Sequence, residues 1–267
     1  MIIADLITWF EDWANPAWQE SWDNCGWQVE PGVLNQTPRV LVCLTPTLAV
    51  LQEAIAQGAN LIFAHHPLIF SPLKSFRAED WVTQMIRLAL SHQIGIYSAH
   101  TNFDQVADGT ADVLAQLLNL QECVPMVLAQ GGGYGRVGRL PNPLTLQELL
   151  NQVIIQLRPS HLCYSPATAT QVVRTVAVLG GSGASYLEAA VNAGAQAYLT
   201  SDCKFHQFQA SRDQGLVLID AGHYATERPA CARLVQKFTT LGVPWAKLSQ
   251  ADEDFRLHYT LAATSNS

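Results

Sequence analysis

The chain has 267 residues, 49% of them apolar, and its 15 basic and 22 acidic side chains make up only 14% of it, leaving a net charge of −7. Globular proteins carry about 25% charged residues, and disorder needs low hydrophobicity with high net charge, so a disordered chain is excluded. No run of Lys or Arg supplies the basic stripe that phosphates require, which disfavours a general nucleic-acid binder. Charge this sparse points instead to domains buried against each other, or to an oligomer that hides part of the surface.

The N-terminus, Met1 to Asp5, has no basic region and meets an acidic residue at once, so it does not read as a signal peptide. Five of the seven tryptophans (Trp9, Trp13, Trp18, Trp22, Trp27) lie in the first 30 residues. Trp9 and Trp13 are at helical spacing, which predicts a core-facing or interface-facing helix, with ligand stacking as the other reading. From residue 39 onward, short β-branched runs alternate with helix-length amphipathic segments, the pattern of stacked β-α units. Strand Arg39 to Leu44, helix Leu48 to Gln57 closed by Gly58, strand Asn60 to Ala64, helix Glu79 to Ser91, strand Gly95 to Ala99 and helix Thr110 to Leu118 lead to a break near Pro125. The longest apolar runs are strand-length, far short of a membrane span.

A second cycle starts at Gly131-Gly132-Gly133, read as a hinge or linker. It comprises strand Gly135 to Leu140, helix Leu144 to Leu157, strands His161 to Tyr164 and Arg174 to Leu179, helix Ser185 to Ala193 and strand Ala195 to Leu199. Strand Leu216 to Asp220 and a long helix from about Thr226 to Leu241 complete it. The expectation is an α/β protein of two α/β lobes with a boundary near residue 126, in which strand Leu216 to Asp220 could rejoin the first sheet. The six cysteines are scattered, which fits reduced thiols in a cytoplasmic protein better than disulfides or a structural zinc site.

Three histidine segments follow predicted strands, where open α/β sheets place their ligand sites: Ala64-His65-His66-Pro67-Leu68, Ser98-Ala99-His100-Thr101-Asn102-Phe103-Asp104, and Asp220-Ala221-Gly222-His223-Tyr224-Ala225-Thr226-Glu227. Imidazoles with carboxylates and no thiolates suit a divalent metal such as Zn, Mn, Fe or Ni. Adjacent residues in extended chain point to opposite sides, so His65 and His66 would each hold one of two neighbouring ions. His223 and Glu227, four apart at a helix start, share one face. Bridging two ions falls most naturally to Glu227, with Asp104 completing one shell, and five ligands for two ions leave the open positions of a catalytic centre.

These segments, together with Trp22-Asp23-Asn24-Cys25-Gly26-Trp27-Gln28-Val29, resemble in order and over nearly the whole chain the motifs of the YbgI-type, Nif-three-like family, whose members are commonly labelled GTP cyclohydrolase 1 type 2. The resemblance implies a dinuclear centre of two divalent ions with His65, His66, Asp104, His223 and Glu227 as ligands. It implies a discontinuous first lobe (1–126 and 215–267) into which the second (127–214) is inserted, and a toroidal hexamer, a trimer of dimers, whose metals face an internal cavity. Two positions depart from the family pattern: Trp27 stands where leucine is usual, and Ser201 where glycine is usual. Both bear on substrate preference rather than on metal binding.

His100 is a candidate general base acting on a water at the metals, or a residue that orients a ligand. His206, in a further family-like segment from Ser201 onward, would line the cavity opposite the metals, unless Asp202 simply caps a helix there. Gly180-Gly181-Ser182-Gly183 reads as a tight turn, with phosphate binding by its amides as the alternative. The expected function is a metal-dependent hydrolase, GTP cyclohydrolase-like or phosphoesterase-like, in which hydroxide generated at the metal attacks a nucleotide or another phosphate-containing small molecule. The alternative is a non-catalytic metal-binding, regulatory or metal-delivery protein.

Overall fold

The computed structural model describes residues 1–259. Helix α1 (Ile3–Trp13) precedes strands β1 (Gly26–Val29) and β2 (Arg39–Cys43), helix α2 (Leu48–Gln57), β3 (Leu61–Ala64), α3 (Trp81–Ser91), β4 (Gly95–Ser98), and the short helices α4 (Thr101–Gln105) and α5 (Thr110–Leu117). The chain continues through β5 (Gln121–Val127), β6 (Tyr134–Thr145), α6 (Leu146–Leu157), β7 (Cys163–Tyr164), β8 (Val172–Val178), α7 (Leu187–Asn192), β9 (Ala197–Thr200) and α8 (Phe205–Asp213). It ends with β10 (Val217–Asp220), α9 (His223–Thr240) and β11 (Trp245–Leu248).

Two sheets result, ordered β1-β4-β3-β2-β11 and β5-β6-β8-β9-β10-β7. In the first, β4, β3, β2 and β11 run parallel and β1 is antiparallel at its edge. Period-2 alternation feeds both of its faces. Val40 and Val42 of β2 join Phe63, Tyr97 and side chains of α1 and α9 on one side, whereas Leu41 and Cys43 join Ile62, Ile96 and side chains of α2 and α3 on the other. The second sheet is covered in the same way by α6 and α5 on one face and by α7 and α8 on the other.

Several sequence expectations shift at their edges. Strand β5 already belongs to the second sheet, so the first lobe gives way near residue 120 rather than 126. Strand β10 does not rejoin the first sheet: it pairs in parallel with β9, Val217 opposite Ala197 through Asp220 opposite Thr200. The return therefore falls at Ala221-Gly222 rather than at 215, and is made by α9, whose Ala225 packs in the second core while Ala230, Leu234 and Phe238 pack in the first. Gly131 to Gly133 is not a linker between lobes. It is the turn between β5 and β6, tied down by Gly133 N–H on the Gln105 carbonyl (3.0 Å) and Gly131 N–H on Gln105 Oε1 (3.3 Å).

Among the tryptophans, Trp9, Trp13, Trp18 and Trp27 pack against the first core, and Trp13 donates its indole N–H to the Ala107 carbonyl. No helix among the described residues is long and apolar enough to cross a membrane.

Candidate metal centre

The site forms at the carboxyl ends of β3 and β4, the usual ligand position in an open parallel sheet, and is closed by the first turn of α9. Past the end of β3 the ladder to the neighbouring strand continues, His65 N–H to the Cys43 carbonyl (3.1 Å) and His66 N–H to the Leu44 carbonyl (2.8 Å). The chain bends at these two residues, and their rings stand 5.2 Å apart between centroids, both facing into the site. His65 Nδ1 donates to the Ala99 carbonyl at 2.7 Å, and because a carbonyl only accepts, Nε2 is left to face inward. His66 Nδ1 pairs with Thr45 Oγ1 (2.7 Å), and His223 Nδ1 with Asp202 Oδ2 (2.7 Å). Each ring thus has its outer nitrogen engaged and its inner one directed at the same point, the arrangement in which outer partners orient metal-binding imidazoles.

That point is the carboxylate of Glu227. Its Oε2 lies 3.0 Å from His66 Nε2 and 2.8 Å from His223 Nε2, and its Oε1 lies 3.7 Å from His65 Nε2. Asp104, in α4, has Oδ1 3.8 Å from His65 Nε2 and accepts a hydrogen bond from Thr110 Oγ1 (2.6 Å). Among the described residues, His65 Nε2 is buried with no hydrogen-bond partner, although Asp104 and Glu227 oxygens lie near it. The two inner nitrogens of His66 and His223 stand 3.2 Å apart, facing each other. His66, His223 and Glu227 form a group that could hold a metal ion, as do His65, His66 and His100.

Electrostatics lead to the same conclusion. Burial alone would lower the pKa of His65, yet Glu227 and Asp104 overcome it and push the ring up to about 9. His223 is likewise pushed up to about 10 against burial, by Glu227 and Asp202. Burial dominates at His66 and moves it down, while the neighbouring His223 and His65 hold Glu227 well below the usual carboxylate range in spite of its burial. The cluster draws in positive charge at two places, on either side of one carboxylate. Orphaned buried nitrogen, inward-facing rings and this demand for charge all fit divalent cations held by nitrogen and oxygen donors.

A cavity of about 380 Å³ opens above, with His66, His100, Asp104, His223 and Glu227 in its lining, walled by Trp22, Phe70, Tyr134 and Tyr186. Its far side carries Glu20, which accepts a hydrogen bond from the Tyr134 hydroxyl at 2.8 Å. Gly180 and Ser182 form its rim. The loop between them is packed on Glu227: Gly181 has φ +64°, and a Cβ built there would meet Glu227 Oε1 at 1.9 Å. Buried Ser201 secures the loop by donating Oγ–H to the Gly181 carbonyl (2.6 Å). Trp27 stands away from the cavity, edge-on to Tyr97 in the first core. Of the two departures from the family pattern, Ser201 is therefore the one that touches the site's surroundings.

His66, Asp104, His223, Glu227 and His100, expected together from the sequence, all line this cavity, and His65 lies buried behind them against Asp104 and Glu227. His206 is elsewhere, exposed on the first turn of α8 and absent from the cavity lining. Asp202 does not cap that helix, whose N-cap is Lys204; it orients His223 and pairs with Arg256 Nη1 (2.7 Å). Reasoning from residue patterns missed Thr45, Glu20, Tyr134, Tyr186 and the role of Asp202. Trp22 and Asp23 fall in the family-like segment Trp22 to Val29, and that resemblance is their only signal in the sequence.

The family described as Duf34/NIF3 (NGG1p interacting factor 3) matches residues 1–251. A Nostoc protein called "GTP cyclohydrolase 1 type 2 homolog" is 67% identical over 96% of this chain and 98% of its own. A Schizosaccharomyces pombe "Protein NIF3 homolog" is 32% identical over 76% and 78%. The crystal structure of a Bacillus cereus protein related to NIF3 superposes with a TM-score of 0.87 at 22% identity, covering 97% of this chain and 99% of that one, which shows the shared fold. With the match running through both lobes and the cluster between them, the chain belongs to the Duf34/NIF3 family.

Proposed function

We propose that the protein is a dinuclear metal-dependent hydrolase for a nucleotide or another phosphate-containing small molecule. The reading rests chiefly on one observation: a single buried carboxylate, Glu227, has one oxygen toward His66 and His223 and the other toward His65. A carboxylate so placed would suit a bridge between two cations. His65, Asp104 and Glu227 would hold one ion, and His66, His223 and Glu227 the other. Bound there, divalent cations supply Lewis acidity and lower the pKa of water. The protein's own side chains do the rest. Trp22, Phe70, Tyr134 and Tyr186 offer aromatic faces for a planar group, and His100 lines the same cavity as a proton acceptor.

GTP is the first substrate to test, because relatives carry the name GTP cyclohydrolase 1 type 2 homolog. The protein, loaded in turn with Zn, Mn, Fe or Ni, is incubated with GTP and with bis(4-nitrophenyl) phosphate and the products are read by mass spectrometry. Turnover of either supports the proposal, and no turnover with any metal refutes it. The same proposal has the chain working in the cytoplasm as a toroidal hexamer, a trimer of dimers. Exposed apolar side chains such as Val124, Leu128, Ile155 and Phe205 support subunit contacts. Sedimentation of a monomer would contradict it.

A second reading, a non-catalytic metal-delivery or regulatory protein, draws on a separate cavity of about 270 Å³. It reaches His66 and His223 from the other side, past Thr45, Asp202 and Arg256. Ligands reached from two sides favour exchange, so rapid metal transfer to a chelator without turnover would select this reading.

A further inference from the structure

Beneath His100 lies a carboxylate with no accessible surface. The loop after Trp22 folds Asp23 inward until its side chain is 0% exposed, and its Oδ1 sits 2.8 Å from His100 Nδ1. The other contacts of Asp23 come from donors. Oδ1 also accepts from Asn24 N–H (2.8 Å), and Oδ2 accepts from Thr101 N–H (3.1 Å), Thr101 Oγ–H (2.5 Å) and Cys25 Sγ–H (3.2 Å). A carboxylate ringed by donors is an acceptor throughout, so the role left to His100 Nδ1 is that of donor. A neutral imidazole has one N–H. With it committed to Asp23, Nε2 keeps its lone pair. The ring is held on the cavity side by the edge of Trp22 (centroids 5.9 Å apart), and His65, His66 and His100 each have a ligand atom within 4.8 Å of the others.

We propose that Asp23 is a positioning residue that fixes His100 as its Nδ1–H tautomer and directs a bare Nε2 at water over the His65–His66 side of the centre. This rests on the hydrolase reading above. In the step it serves, one water O–H bond breaks as its oxygen forms the new bond to the substrate, and the proton goes to His100 Nε2. The bond to the leaving group breaks with its electron pair, and His100 returns the proton to that group, so hydrolysis balances with water as the only co-reactant. Asp23 keeps its charge throughout and touches neither substrate nor metal.

Asp23→Asn separates orientation from bulk. Three donors face Oδ2 and, besides His100, only Asn24 N–H faces Oδ1, so the amide oxygen takes the Oδ2 side and the NH₂ turns toward His100, giving up the Asn24 contact. Nδ1 must then accept, and the proton moves to Nε2. Neutron diffraction of the zinc-loaded protein reads this directly: deuterium on Nδ1 of His100 in the wild type and on Nε2 in D23N. In whichever of GTP and bis(4-nitrophenyl) phosphate the wild type hydrolyses, D23N lowers kcat by about 10²–10⁴-fold, the range for a positioned base, with KM within threefold and metal content unchanged. Deuterium on Nε2 in the wild type overturns the inference whatever the activity, and needs no variant to fold. A flipped tautomer in D23N with unchanged kcat also overturns it, and so does loss of metal from D23N, which would make His100 a ligand. Failure of the wild type to hydrolyse either probe is a different result, which removes the hydrolase reading and the catalytic part of this inference with it.

Discussion

Replacing Gly181 by alanine probes the proposed bridging role of Glu227 without changing any proposed ligand. The new Cβ would stand 1.9 Å from Glu227 Oε1 and 2.9 Å from its Cδ, where contacts below 3.0 Å are not sustained, so the carboxylate must retreat by about 1 Å. Metal–ligand distances tolerate about ±0.2 Å, so a shift of that size takes Oε1 out of reach of an ion shared with His65. Losing one orientation device costs about 10–100-fold in metal affinity, and displacing the bridge itself should cost at least as much. The variant also carries a side chain at φ +64°, worth about 1–3 kcal/mol in strain. Gly194 supplies the control, with φ +76° and open space around a built Cβ. Gly194→Ala should lower the melting temperature by a similar backbone contribution and keep its metal, whereas Gly181→Ala should lose both. Elemental analysis after dialysis against a weak chelator, paired with thermal denaturation, checks this. Full metal content in Gly181→Ala would refute the reasoning that the loop sets the position of Glu227.

Glu227→Gln should empty both ion positions, while His65→Ala and His66→Ala should each empty mainly one, as read by metal-to-protein stoichiometry. Metal uptake should release protons near neutral pH, because His65 and His223, pushed up to about 9 and 10, must shed them to coordinate. Affinity therefore rises with pH until it levels near 10, and calorimetry in buffers of different ionisation enthalpy counts the protons. In chelator-treated protein the sign for stability is opposite. These raised values stabilise the fold fully below about pH 6.5 and cease to do so as pH climbs through 9 and 10. Glu53 accepts hydrogen bonds from Ser249 Oγ, Gln250 N and Ala251 N, which hold its carboxyl below the usual range against burial. Glu53→Ala should cost about 1–2 kcal/mol, since the group is partly exposed. The wild type should lose that margin as pH falls below about 4.5, which thermal melts of both proteins along a pH series would show.

The parallel core of the first lobe is readable because both faces of its strands are buried, so β2 after Arg39 and the whole of β3 appear as apolar runs, β3 directly ahead of the histidines. What escaped had weaker local signals. Pro125 reads as a break, yet it sits in β5 at the edge of the second sheet, where a missing N–H is tolerated. Strand β11 is only half-buried at the edge of the first sheet, and α8 buries little beyond Ser211, so neither shows a clear period. The prolines at 141 and 143 do not end β6 but sit where its register to β8 shifts between Arg139 and Leu144; the helix waits for Thr145, which caps it reciprocally with Glu148. The side chains proposed as metal ligands announce themselves by type and position after strands. Their orienting partners do not: Asp23 and His100 are 77 residues apart and Asp202 and His223 are 21 apart, pairings that only tertiary docking creates.

Helix α9 starts where the second sheet ends and finishes inside the first core, with His223 and Glu227 in its opening turns. His65 and His66 follow β3 of the first sheet, whereas the opening of α9 still packs on the second core through Ala225. An ion bound here would be gripped by both halves at once, so the angle between the lobes and the occupancy of the centre become a single variable. A free metal concentration a hundred times the dissociation constant adds about 2.7 kcal/mol to the assembled form. Such a joint would be stiffer with its ions bound than without them.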